Sequence, residues 1–156
     1  MKNNKYSNIT TYRIDCPEED YLYIKESQIE GAGKGLFTAI KIFKDEVISV
    51  FRGEILTSIE IKKRMKNNAD NYFINMVDGR IMDSMNVKCF AKYANDAEGI
   101  SKSTFKNNSK ISLDENDNVC IVASRNIKAG EEIFCSYGKQ YWAKSIGFDN
   151  FKLSHQ

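Results

Sequence analysis

Tyr137 and Gly138 are the residues of this sequence that most clearly suggest chemistry. Tyr137 ends the strand-like apolar alternation of residues 132–137, and Gly138 follows it directly. A Tyr-Gly pair at the end of a buried strand places a phenol hydroxyl where the chain must turn. A tyrosine in a strand commonly only fills a core, so the position alone leaves packing and catalysis open. Trp142, the single tryptophan, follows soon after. The function of this hydroxyl must therefore be inferred from the other segments of the sequence.

Three glycines around Lys34 form a second candidate site, at Gly31, Gly33 and Gly35. A Walker loop requires Ser or Thr after Gly-Lys, and a dinucleotide fingerprint would require glycine where Leu36 stands. Both nucleotide motifs are therefore excluded. Two interpretations stay open: a tight turn between two strands, or a backbone cradle in which amide groups approach a small polar ligand.

Asn95 and Asp96 form a third candidate, within the polar, irregular stretch of residues 90–108. A loop of this length in a compact domain is usually functional or disordered. The Asn95 amide carries a donor and an acceptor, which could fix an adenine or an amino-acid head group. The alternative is a turn, for which Asn-Asp is equally suited.

Aromatic residues are the last candidate group. They would be ordinary core residues if they lie apart, and a narrow channel for an alkylammonium group if they converge. The residues concerned are Phe51, Tyr72, Tyr93, Tyr137 and Trp142.

Composition excludes several classes of protein. The four cysteines form no Cys-x-x-Cys pair and the only histidine is His155, which excludes zinc fingers and a histidine-based triad. A net charge of +2 gives no bulk attraction to nucleic acid, and no direct nucleic-acid site is evident. The polar N-terminus and the lack of a long apolar run predict no signal peptide and no membrane span. We therefore expect an intracellular soluble protein.

Short strands separated by turns dominate the pattern. Asp78-Gly79 and the polar residues 114–118 each predict a hairpin. The predicted strands are residues 21–24, 36–39, 46–51, 72–77, 80–83, 110–113, 119–122 and 132–137.

Only two helices are predicted. Thr57 and Glu60 have the spacing of a capping box, which predicts a helix ending near Asn67. Residues 139–146 look helical, with Gly147 as the stop. The 156 residues suffice for one domain, and many short strands with few helices predict a mostly β (α+β) domain of small sheets.

Taken together in chain order, the segments discussed above resemble the motifs of the SET-domain protein lysine methyltransferases. The Ser-Tyr-Gly-x-x-Tyr-Trp ending is similar to that of short viral SET proteins, which lack a cysteine-rich post-SET segment. The resemblance implies a β-clip of several small sheets with a C-terminal pseudoknot. It places a SET domain at residues 21–142, an N-terminal arm at 1–20 and a tail or short helix at 143–156. The segments that carry the resemblance are residues 31–37, 51–54, 72–83, 91–96 and 127–138.

The resemblance also implies a cofactor, S-adenosylmethionine, and a role for each matching residue. Tyr137 would be the catalytic residue, standing where the sulfonium meets the lysine amine. The substrate channel would be lined by Phe51, Tyr93 and Cys135. The cofactor would be held by Lys34, Gly35, Leu36, Tyr72, Asn95, Asp96 and Trp142.

Departures from the family pattern define the alternatives. Phe51 stands where the family has tyrosine, and Asp96 where it has histidine. The chain could therefore be a catalytically weak SET domain that binds a lysine peptide or the cofactor, or a purely structural β-clip. Cys135 replaces an aromatic residue that often limits the number of methyl groups, so we expect room for multiple methylation.

The expected partner is a protein with an accessible lysine, such as a histone. A histone substrate would place the protein in the nucleus, at chromatin. The sequence leaves the oligomeric state open, with a homodimer allowed.

Overall fold

Short strands dominate the computed structural model, which describes residues 12–99 and 103–136. The helices are α1 (Glu18–Tyr21), α2 (Ser58–Lys66) and a 3-10 helix (Ala91–Tyr93). The strands are β1 (Tyr12–Arg13), β2 (Leu22–Glu26), β3 (Lys34–Thr38), β4 (Glu46–Val50), β5 (Glu54–Ile55), β6 (Phe73–Asn75), β7 (Ile81–Asp83), β8 (Ser109–Leu113), β9 (Val119–Ala123), β10 (Glu132–Ile133) and β11 (Cys135–Ser136). The prediction of a mostly β (α+β) domain is confirmed.

The described strands form three small sheets. One has the order β1-β4-β9-β8-β11, with parallel pairing at both of its edges, β1 with β4 and β11 with β8. The other two have the orders β10-β3-β2 and β5-β7-β6, and both are antiparallel. Several small sheets were expected, and they are confirmed; the threading of a pseudoknot stays a prediction.

Both predicted hairpins are present. β6 and β7 pair across Asp78-Gly79, where Gly79 has a φ of 85° and the Asp78 carboxylate accepts the Arg80 amide. A positive φ of this size favours glycine, which explains the residue at the tip. β8 and β9 pair across residues 114–118, where the Asp114 carboxylate accepts two backbone amides.

Helix α2 begins with the predicted capping box. The Thr57 hydroxyl accepts the Glu60 amide at 3.3 Å, and the Glu60 carboxylate accepts the Thr57 amide at 2.8 Å. None of its residues is buried. The helix is instead attached through Arg64, which contacts Glu54 of β5 at 2.9 Å and Asp83 of β7 at 2.6 Å. Polar contacts therefore hold α2 on the β5-β7-β6 sheet.

The described part of residues 1–20 carries β1 and most of α1. β1 pairs with β4, and the Tyr21 hydroxyl at the end of α1 donates to the Ile48 carbonyl at 2.7 Å. Burial raises the pKa of this phenol. The arm and the other domain boundaries stay predictions, but these residues pack directly on β4.

The main core joins residues from all three sheets, among them Leu36, Ile48, Met82, Ile121 and Ile133. Leu36, Ile48, Ile121 and Ile133 have no exposed surface. None of the helices in the described ranges is long and apolar enough to cross a membrane.

Candidate functional site

The segment of residues 132–136 changes from one sheet to another. β10 pairs antiparallel with β3, and β11 pairs parallel with β8. Between them, Phe134 forms a parallel bridge with Asn95, and its ring packs on Phe105 with centroids 5.2 Å apart. The sequence predicted one continuous strand here; two short strands form because the chain leaves one sheet and joins the next.

The Asn108 side chain makes hydrogen bonds to backbone groups at the point where the chain changes sheets. Its side-chain amide donates to the Glu132 carbonyl at 2.9 Å, and its side-chain oxygen accepts the Phe134 amide at 2.9 Å. The Ser109 hydroxyl donates to the Phe134 carbonyl at 2.8 Å. Buried backbone groups need such partners. Sequence reasoning missed Asn108, although an asparagine directly before a strand was a usable signal.

Asn95 joins two of the predicted cofactor segments to the last strands. Its side-chain amide donates to the Lys34 carbonyl at 3.0 Å, and its own carbonyl accepts the Cys135 amide at 2.8 Å. In the β3–β10 pair, Leu36 lies opposite Ile133. The structure therefore brings Lys34, Asn95 and Cys135, which come from three separated motifs, to one place.

The glycine loop is the predicted turn between β2 and β3. Gly31 and Gly33 have φ values of 78° and 72°, and an added Cβ at either would meet nothing within 4 Å. The Ser27 amide closes the loop on the Gly33 carbonyl at 2.7 Å. The loop is thus fixed at its base and sterically open at its glycines, which suits close approach by a ligand.

Asp96 is buried within the turn that follows Asn95. One of its carboxylate oxygens accepts the side-chain amide of Asn107 at 2.9 Å and the backbone amide of Glu98 at 3.0 Å. This carboxylate therefore orders the local loop. Its predicted contact with a cofactor stays a prediction.

Tyr72 and Tyr93 converge on a cation that the sequence did not point to. The Lys92 ammonium lies 5.7 Å from the Tyr72 ring centroid and 5.4 Å from that of Tyr93. It also donates to the carbonyls of Ser84, Met85 and Val87, each at 3.1 Å. Tyr72, which was predicted to bind the cofactor, and Tyr93, which was predicted to line the channel, therefore both lie close to the Lys92 ammonium.

Ser84 adds a further feature beside this group. Its hydroxyl is fully buried and has no hydrogen-bond partner among the residues that the structure describes. A buried hydroxyl of this kind normally meets a water or another polar group.

Phe51 and Cys135 belong to the main core, and Tyr93 packs against it from one side. Cys135 has no exposed surface, and burial raises the pKa of its thiol to about 12. At neutral pH the thiol is protonated, so Cys135 is not a nucleophile. Cys135 would therefore affect the predicted channel through its small size and not through its reactivity.

Tyr137 and Trp142 lie outside the described residues, so their predicted roles stay predictions. Among residues 12–99 and 103–136, no group of three or more His, Cys, Asp or Glu side chains is arranged to hold a metal ion. A cleft of about 340 Å³ lies between β1, α1, β4 and residues 88–90, and its lining contains none of the predicted site residues.

Three small sheets form a β-rich α+β domain, and residues 132–136 pass from one of them to another beside the glycine loop, where the candidate site lies. The SET domain family model matches residues 33–138, more than half of the chain, and the protein therefore belongs to the SET-domain family. The matched range contains every predicted site residue except Trp142. Members of this family are generally S-adenosylmethionine-dependent protein lysine methyltransferases. No curated protein gives a significant match to the chain.

Proposed function

We propose that the protein is an S-adenosylmethionine-dependent protein-lysine N-methyltransferase. The observation that supports it best is the position of Asn95, which is bonded to Lys34 through its side chain and to Cys135 through its backbone. These two contacts tie Lys34, the first residue after the glycine loop, to β11, which directly precedes Tyr137 in the sequence. The proposal needs the cofactor cradle and the reacting hydroxyl to be neighbours, and this connection supports that arrangement.

The residues present fit the cofactor. The glycine loop leaves open space at Gly31 and Gly33, where any other residue would be strained by the positive φ. In this proposal the backbone of residues 34–36 and the side chain of Asn95 hold the methionine end. Tyr72 would lie near the methionine end, Asp96 would contact the adenine, and Trp142 would cover the adenine or shape the channel. When bound, S-adenosylmethionine supplies an electrophilic methyl group on a sulfonium.

The substrate lysine must react as a neutral amine, although the ordinary pKa of lysine is about 10.4. Deprotonating it at pH 7 costs about 5 kcal/mol, at about 1.36 kcal/mol per pH unit. A dry channel lowers the pKa of the amine by desolvation. The buried Phe51 and Cys135 and the partly buried Tyr93 would provide such walls. The Tyr137 hydroxyl would orient the amine lone pair toward the methyl carbon, and alignment supplies much of the remaining acceleration.

The proposed substrate is a protein with an accessible lysine, and histones are the first class to test. The purified chain is incubated with isotopically labelled methyl donor, histones and a cell extract. We expect label on lysine, with Tyr137→Phe reducing turnover by about 100-fold or more, as for loss of one catalytic hydrogen bond. Tyr23→Phe is the matched control, because Tyr23 is not a predicted site residue and its ring stacks on Phe37, and it should retain normal turnover. Wild-type activity in Tyr137→Phe would refute the role of this hydroxyl.

A second candidate is a SET domain that binds a lysine peptide or the cofactor without turnover. Two observations favour it: Phe51 lacks the family's hydroxyl, and the Asp96 carboxylate is engaged by Asn107 and Glu98. Cofactor binding by calorimetry without transfer of label would support this candidate. Absence of both binding and transfer would leave a structural β-clip.

A further inference from the structure

Glu132 is a buried carboxylate outside the predicted site. It is 1% exposed, and its two oxygens accept the Ser27 hydroxyl at 2.7 Å and the Gln28 amide at 2.8 Å. A buried charge needs such partners, and both of them lie at the start of the glycine loop, more than one hundred residues earlier in the chain. The carboxylate is therefore directed at this loop.

Ser27 connects Glu132 to the backbone of the rest of the loop. Its hydroxyl oxygen accepts the Ile29 amide at 3.1 Å, and its backbone amide donates to the Gly33 carbonyl at 2.7 Å. Glu132 thus holds the residue that closes the loop and shapes its first turn. If the Ser27 and Gln28 contacts were lost, the positions of Gly31 and Gly33 would no longer be fixed from this side.

Gly35 shows how tightly the carboxylate fits. An added Cβ at Gly35 would lie 2.2 Å from the nearer Glu132 oxygen and 3.2 Å from the Ser27 Cα. The glycine is needed here for space, not for an unusual φ. The Glu132 side chain therefore crosses directly over the first residues of β3, where the methionine end of the cofactor is proposed to bind.

We propose that Glu132 is a positioning residue that fixes the glycine loop of residues 27–33 for cofactor binding. The inference rests on the proposed function. Within the described ranges, the hydrogen bonds of the Glu132 carboxylate go to Ser27 and Gln28 of the loop, and none goes to a predicted channel residue. Its loss should weaken cofactor binding while turnover at saturating cofactor changes little.

The test compares Glu132→Gln with Glu131→Gln. Both remove one carboxylate charge from neighbouring positions, but Glu131 pairs with Arg125 and does not contact the loop. Binding of S-adenosylhomocysteine is measured by calorimetry, and turnover over a range of cofactor concentrations. For Glu132→Gln we expect binding weakened about tenfold, as for loss of a charged hydrogen bond, and kcat within about threefold of wild type. Glu131→Gln should bind normally.

Ser27→Ala keeps the inference testable if Glu132→Gln fails to fold, and circular dichroism and thermal unfolding identify such failure. Ser27→Ala removes two hydrogen bonds, the one to Glu132 and the one from the Ile29 amide, and should raise the Kd about fivefold to tenfold. Normal cofactor affinity in whichever variants fold, or equal loss in Glu131→Gln, would overturn the inference. A wild-type protein that binds S-adenosylhomocysteine but transfers no methyl group refutes only the proposed enzyme. A wild-type protein that does not bind it overturns both.

Discussion

The side-chain amide of Asn95 donates a hydrogen bond to the backbone carbonyl of Lys34 at 3.0 Å, across 61 residues of sequence. The Asn95 backbone carbonyl meanwhile accepts the Cys135 amide at 2.8 Å. Asn95 therefore contacts the start of β3, directly after the glycine loop, through its side chain and β11 through its backbone. A side-chain substitution separates these two connections, because the backbone contact survives it.

Asn95→Ala should weaken cofactor binding by about fivefold to tenfold, since a hydrogen bond contributes about 1 kcal/mol and 1.4 kcal/mol corresponds to tenfold. Asn95→Asp should be worse, because a carboxylate cannot donate and would face the Lys34 carbonyl. Calorimetry with S-adenosylhomocysteine gives the affinities. The control is Asn118→Ala, which loses a side-chain bond in the distant β8–β9 turn. Normal affinity in both Asn95 variants would contradict the prediction.

Local signals in the sequence predicted local structure correctly. The Thr57–Glu60 capping box and the Asp78-Gly79 turn each depend on residues within four positions, and both are present in the structure. The convergence of Lys34, Asn95 and Cys135 followed from the order of the family motifs, not from any local pattern. It could be expected only through the resemblance.

Contacts made by backbone groups were not predictable. Three carbonyls hold the Lys92 ammonium, and carbonyls leave no signature in a sequence because every residue has one. The change of sheet at Phe134 was missed for a related reason. An alternating apolar pattern is the same whichever sheet the strand joins, and here the choice depends on the distant Asn108.

Lys92→Met should lower the free energy of unfolding by about 2 kcal/mol, because it leaves three carbonyls without their charged donor. Urea unfolding measures the change. Lys88→Met is the matched control: its ammonium also lies over a ring, that of Phe90 at 5.9 Å, but the lysine is exposed. It should change stability by less than about 0.5 kcal/mol. Equal effects of the two variants would show that the carbonyl contacts do not matter.

Asp83→Ala should destabilise the fold by about 2 kcal/mol, because it removes a buried carboxylate that accepts a charged hydrogen bond from the partly exposed Arg64. The Asp83 side chain has no exposed surface, and it accepts both Arg64 and the Met85 amide. Because α2 buries no residue of its own, the helix should also lose protection from hydrogen exchange. Glu54→Ala removes the exposed partner of Arg64 and should cost under about 1 kcal/mol. Unchanged exchange in α2 of Asp83→Ala would contradict this account.

The wild-type protein should add more than one methyl group to its lysine, because Cys135 is smaller than the aromatic residue found at this position in related enzymes. Mass spectrometry of the product over time gives the distribution of methyl states. Cys135→Phe should shift this distribution toward monomethyl-lysine, and it should also lower stability by about 1–3 kcal/mol because the position is fully buried. A wild-type protein that stops at monomethyl-lysine would rule out the proposed role of Cys135.

Stability should fall as the pH rises above 9. Burial raises the pKa of Cys120 to about 11 and that of Cys135 to about 12, from an ordinary 9.0, and it also raises the pKa of Tyr21. The folded chain therefore holds these protons more tightly than the unfolded chain. Their contribution is fully present below pH 9 and is lost progressively as the pH rises toward the folded pKa values.

Urea unfolding at pH 7, 9, 10 and 11 measures this loss, which for Cys135 alone is on the order of 2 kcal/mol between pH 9 and 11, at about 1.36 kcal/mol per pH unit. Ile121→Val is the control, because it removes buried volume but no titratable group, and its profile should stay parallel to that of the wild type. Cys135→Ala is less stable at neutral pH because of the cavity, but its alkaline decline should be shallower than that of the wild type. Parallel profiles for Cys135→Ala and the wild type would show that the Cys135 thiol does not titrate on unfolding in this range.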